Sequence, residues 1–140
     1  MNTHETYVSL EVAKLLKEAG FDWEVNTCRY NSSPNKISSN GTLASNFNGY
    51  AFQHIAISAP TLEVAQKWLR EVKGYSIYVT RGGYKIYVLD ENDPTGFRKT
   101  YELNSILSYE EAQEAGIKKA LETILKEREK ELFILKCLTK

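Results

Sequence analysis

From Ser108 onward the chain reads as one helix with no evident stop. Ser108 is a good N-cap and Glu111, three residues on, completes a capping box. Ala112, Ala115, Ile117, Ala120, Leu121, Ile124 and Leu125 follow at helical spacing. Run from Tyr109 to Leu138, the helix would have 30 residues and a length of about 45 Å. A 140-residue globule has a radius of gyration of only about 14 Å. Residues 126–131 (KEREKE) are charged at every position, and Leu132, Phe133, Ile134, Leu135 and Leu138 then form a fresh apolar patch. Such a patch needs cover. Either the chain bends back onto its own core, or the patch meets a second copy. Leu132, Phe133, Leu135 and Leu138 are therefore the expected contacts of a homodimer.

Length fits one domain over residues 1–140. Lys+Arg and Asp+Glu are 18 each. Residues 1–70 hold six of each sign and residues 71–140 twelve of each. No half is basic, which counts against nucleic acid as a partner, because phosphate neutralisation needs clustered excess cations. With 42% hydrophobic and 26% charged residues, disorder and a collagen-like chain are excluded. The longest apolar cluster contains Lys136 and is too short to span a bilayer. Residues Met1 to Tyr7 are polar and do not lead into a signal-peptide core, so a cytoplasmic location is expected.

The remaining elements follow from local patterning. Ser9, a run of Leu10, Val12, Ala13, Leu15 and Leu16, and Gly20 predict a helix over about 9–19. Alternation over 23–30 predicts a strand. Residues 31–50 hold five Asn, five Ser and one charge, Lys36. They read as an irregular loop, with Phe47, Tyr50 and Phe52 pinning its far end. A second strand is expected over 51–58. A helix with Leu62, Val64, Ala65, Trp68, Leu69 and Val72 inward then runs from Thr61 to Gly74. The three helix starts SLEVA, TLEVA and SYEEA share the grammar of hydroxyl cap, early acid and alanine.

Tyr75–Thr80 and Tyr84–Asp90 flank Arg81-Gly82-Gly83. A Gly-Gly type I′ turn would pair Val79 with Ile86 and Ile77 with Val88 on one face. Tyr78 with Tyr87 and Thr80 with Lys85 would lie on the other. Asp90–Gly96 (DENDPTG) is a turn, and 97–104 a third strand of a meander. The fold class is α+β: a small, mainly antiparallel sheet with three helices, the C-terminal one long. Trp68, Leu69, Ile77, Val79, Ile86, Val88, Leu121 and Ile124 are the expected core.

Chemistry-bearing patterns are sparse. Cys28 and Cys137 read as buried free thiols. With His4 and His54 they show no metal-ligand spacing, and no cofactor motif is present. Cys28 and His54 could form a nucleophile and base only if strands 23–30 and 51–58 bring them together. DENDPTG lacks the glycine and distal glutamate of a calcium loop. The one nucleic-acid pattern is a stacking face on the hairpin, with Tyr78 and Tyr87 as platforms and Lys85 and Arg98 as phosphate contacts. An enzyme whose site assembles from residues distant in sequence stays open at this stage.

The stretches PTLEVAQKWLREVKGYSIYV and SYEEAQEAGIKKALETIL are similar to those of small uncharacterised proteins of gut bacteria and their phages. The resemblance covers about residues 59–125 and leaves the first 58 outside it. It implies a bacterial or phage accessory protein, and carries over no catalytic residue. Because no catalytic constellation appears and the C-terminal patch needs cover, a non-catalytic interaction module with an unidentified protein partner is the expected function, with single-stranded nucleic-acid binding and an unrecognised enzyme as alternatives.

Overall fold

The computed structural model describes residues 6–39, 41, 43–105 and 107–139, without the side chains of residues 97–100. The fold is α+β. Its strands divide between two three-stranded antiparallel sheets rather than joining one. Helix α1 is Leu10–Ala19. The first sheet has β1 (Thr27–Tyr30), β2 (Ser38–Ser39) and β3 (Ala56–Ser58) in the order β2-β1-β3. Helix α2 is Leu62–Trp68 and continues as a π-helical turn over Leu69–Lys73. The second sheet is the expected meander of β4 (Tyr75–Thr80), β5 (Gly83–Leu89) and β6 (Phe97–Asn104). Helix α3 is Tyr109–Leu138, with 30 residues unbroken.

The three helix starts behave alike. Val12, Val64 and Glu111 each donate a backbone N–H to the hydroxyl of Ser9, Thr61 and Ser108, satisfying a donor the helix cannot. Glu111 also accepts from the Ser108 backbone N–H, closing the capping box. Gly20 ends α1 at φ 99°, and Phe21 donates back to the Leu16 carbonyl. Phe21 is thereby turned inward against Trp68, with ring centroids 5.4 Å apart.

Four expectations are corrected. The strand expected over 23–30 is only its second half, because Val25 makes an isolated bridge to Ser45 instead. Residues 51–58 do not form a strand throughout: Tyr50–Phe52 is a 3₁₀ turn, His54 takes φ 67°, and only Ala56–Ser58 pairs. Tyr50 is 91% exposed and pins nothing, whereas Phe47 is buried against Phe52. Trp68 and Leu69 are buried as expected, but the π-helical turn over Leu69–Lys73 inserts an extra residue and Val72 rotates out to solvent.

The hairpin register also shifts. Thr80 pairs with Gly83, Tyr78 with Lys85 and Ile77 with Ile86, so Arg81-Gly82 is the turn. Gly82 takes φ 86° and Arg81 does not share the left-handed region, so the turn is not type I′. Gly83 is needed in the strand: a Cβ there would lie 1.8 Å from the Leu103 carbonyl oxygen of β6. The shift is by two residues, which preserves the faces. Ile77, Ile86 and Val88 are buried, while Val79 is only partly so.

The main core joins α1, α2, α3, β4 and β5 through Val12, Leu16, Phe21, Leu62, Trp68, Leu69, Ile86, Ile117 and Leu121, with Ile124 partly buried against it. Cys28, Phe47 and Ala56 form a small second cluster. The Asn/Ser loop is held by side chains standing in for a ladder. Asn48 donates to the Phe21 carbonyl and accepts from the Ser58 backbone, and Asn26 donates to Gly41. Arg29 donates to the carbonyls of Pro34 and Val8, tying β1 to the loop and to the chain before α1.

Candidate interaction site

Two halves of α3 meet different surroundings. In the inner half, Ala112, Gln113, Gly116, Ile117, Ala120 and Leu121 are buried. Gly116 permits close approach to the meander, since a Cβ there would lie 2.8 Å from Ile77 Cγ2. Gln113 donates to Gln66 Oε1 at 2.9 Å and Gln66 donates to the Ile77 carbonyl at 2.6 Å, linking α3, α2 and β4. On another side of α3 lies α1. Ser9 donates its N–H to Glu114 Oε1 at 3.0 Å, Lys118 Nζ lies 2.9 Å from Glu11, and Arg128 Nη1 donates to the Glu18 carbonyl at 2.7 Å. Glu11 raises the Lys118 ammonium above its ordinary pKa, and both groups meet solvent. Tyr75 donates to Glu127 Oε2 at 3.4 Å from the meander side.

Past Arg128 these contacts end. Among the described residues, no hydrogen bond joins positions 129–139 to another element. Every described residue from 128 to 139 is exposed. Leu132, Phe133, Ile134, Leu135 and Leu138 range from 51% to 76% exposed. Four consecutive residues at about 100° per step reach every side of a helix, so Leu132–Leu135 put an apolar side chain on each side of the tip, among Glu131 and Lys136. A groove of about 310 Å³ marks the transition, lined by Glu18, Leu125, Arg128, Glu129 and Leu132. Cys137, expected as a buried thiol, lies in this segment and is exposed.

The hairpin residues gather only in part. Tyr78 is 55% exposed, and its ring meets the ring of Tyr87 edge-on at 5.5 Å between centroids. Lys85 stands directly opposite Tyr78 in the ladder. Arg98 falls at the bulge between the Lys99–Val88 and Phe97–Leu89 pairs, and its side chain lies outside the described residues.

Cys28 and His54 are not brought together, although β1 and β3 are neighbours. Cys28 pairs with Ser58 inside the ladder, whereas His54 lies before β3 at φ 67°. Burial pushes the Cys28 thiol up from its ordinary pKa, opposite to what a nucleophile needs. His54 instead lines an open groove of about 440 Å³ with Lys14, Lys17 and Asn31. In DENDPTG the acids close the turn: Asp90 accepts from the Asn92 N–H, and Asp93 from the Thr95 N–H and hydroxyl. The Thr95 hydroxyl holds the Asp93 carboxyl below its ordinary pKa. Among the described residues no three His, Cys, Asp or Glu gather as a metal site, and no helix is long and apolar enough to cross a membrane. His4 lies outside the described residues.

No protein-family model, curated protein or solved structure matches the chain.

Sequence reading missed Arg29, Asn48, Gln66 and Gly116 as positioning residues. The glycine inside a helical pattern was the available signal for the last of these. Polar residues bonding to distant backbone leave no trace in periodicity.

Proposed function

We propose that the chain is a non-catalytic interaction module that self-associates through the outer half of α3. The observation that carries this reading is a helix end whose five large apolar side chains are left uncovered by its own fold. Exposure of that kind marks contact surfaces. A cytoplasmic setting, and an origin among accessory proteins of bacteria or their phages, belong to the same proposal. The origin rests on the resemblance over residues 59–125.

Light scattering on a concentration series rising from micromolar tests it, read at the concentrated end. The expected mass is twice the chain's 16.0 kDa, and the Leu132→Asp/Leu135→Asp variant should return to a single chain. A wild-type particle of one chain would overturn the proposal.

Tyr78 favours a second reading, single-stranded nucleic acid stacked on the hairpin, because it is exposed beside Lys85. A labelled oligonucleotide at about 50 mM salt, where electrostatic binding is strong, should be retarded by the wild type and not by Tyr78→Ala. No retardation at that salt would end this reading.

A further inference from the structure

We propose that the groove between α1 and the first sheet binds a small organic anion, an apolar body carrying a carboxylate or phosphate group. The site lies apart from the α3 tip and does not rest on self-association.

Helix α1 supplies one side of the groove. Leu10, Lys14 and Lys17 follow steps of four and three, which place them on one side of the helix. Asn31 and Pro34 after β1, and His54 before β3, supply another, and Ala56 and Ile57 of β3 complete the lining. The Asn31 N–H on the Ile55 carbonyl ties the two loop segments together. The apolar members of the lining are buried or half-buried, whereas Lys14, Lys17, Asn31 and His54 are exposed. Polar groups thus rim an apolar floor. The volume is about 440 Å³, and small-molecule sites of this layout span about 300–1,000 Å³.

The charge of the ligand follows from what the cations here lack. Elsewhere, Lys118 has Glu11, and Lys73 and Lys119 lie over the rings of Trp68 and Tyr101. Among the described residues, Lys14 and Lys17 have no such partner, and the side chains of Asn31 and His54 make no hydrogen bond. A third cation stands behind the lining. Arg29 pairs with Ile57 across the ladder, and residues directly opposite share a face of the sheet. Its guanidinium donates to the carbonyls of Pro34 and Val8 at 2.9 Å each, but to no carboxylate among the described residues. The Arg29 Nε is buried and unpartnered. A cation withdrawn from water without a counter-charge is costly, and an anion in the groove would supply that charge. Glu18 is the acid of the lining, near the end of α1, and it also borders the second groove. Against it stand Lys14, Lys17 and Arg29, so the surroundings stay positive.

His54 adds a backbone observation. Its φ of 67° is left-handed, a conformation that favours glycine. A histidine there places an imidazole on the groove, and strained residues of this kind gather at ligand sites.

Amide-resolved NMR titration of the full chain tests the site, with cinnamate and phenyl phosphate as anions, cinnamamide as the uncharged counterpart and inorganic phosphate as the anion without an apolar body. Cinnamate or phenyl phosphate should shift the signals of Lys14, Lys17, Asn31 and His54 and saturate by about 10 mM. Cinnamamide and inorganic phosphate should each bind at least about fivefold more weakly than the better anion. Lys14→Gln/Lys17→Gln, at exposed positions, should weaken the anions by a similar factor and leave cinnamamide unchanged. The proposal is overturned by the absence of a saturable shift with both organic anions, by inorganic phosphate or cinnamamide binding as well as they do, or by a double variant that binds them as the wild type does. Shifts confined to residues 129–138 would also overturn it, while leaving self-association standing.

Discussion

The inner and outer halves of α3 are one continuous helix, yet different forces hold them. Between Ala112 and Leu121 the helix has a buried stripe, a glycine set against Ile77, and polar links to α1 and α2. Between Glu129 and Leu138 it has only its own backbone ladder and the residues' helical propensity. Short helices without tertiary packing are marginal in water. The outer half is therefore held by continuity with the inner half, and its apolar residues stabilise nothing within one copy. The contrast separates what folds this chain from what it leaves uncovered.

Substitutions should expose that separation. Leu121→Ala and Ile117→Ala remove fully buried side chains and should each cost about 2–5 kcal/mol in denaturant unfolding. Leu132→Ala and Leu135→Ala should change dilute-solution stability by no more than about 0.5 kcal/mol. Equal losses in the two halves would break the comparison. Gly116→Ala should still destabilise by about 1–3 kcal/mol from overpacking against Ile77 and Tyr84. That loss would appear despite a helix-propensity gain of about 1 kcal/mol. A more stable variant would show the inner packing to be looser than the geometry implies. Ending the chain after Arg128 should leave the far-ultraviolet dichroism of the body intact and abolish self-association.

The smallest effect is on pH. Burial raises the Cys28 thiol and the Tyr84 hydroxyl above their ordinary pKa values. Below about pH 8, under the ordinary thiol and phenol values of about 8.5 and 10, both groups are protonated in either state and their contribution is complete. As pH rises through those values the unfolded groups ionise first. Stability then falls until the raised folded values are passed. A urea midpoint that climbs from pH 8 to 10 would contradict this. At neutral pH, iodoacetamide should label exposed Cys137 well before Cys28.

The helices were the most legible part of the sequence. Ser9, Thr61 and Ser108 announce their starts through a hydroxyl, and Gly20 and Gly74 their ends through a left-handed φ. These are signals between near neighbours. The meander's faces were legible too, because side-chain alternation survives a two-residue slip; its register was not. Leu103 of β6, twenty residues from Gly83, decides where that glycine must stand. Residues 51–55 misled for a similar reason: the Asn31 N–H holds the Ile55 carbonyl from outside the segment. The exposed patch on α3 was legible as a patch.

Amide hydrogen exchange of the full chain, compared at dilute and concentrated protein, tests the central contrast most directly. Peptides covering residues 112–121 should be equally protected at both concentrations. Peptides covering residues 129–138 should exchange fast when dilute and slowly when concentrated, as copies come together. Outer-half exchange that ignores concentration, whether fast or slow, would contradict the account.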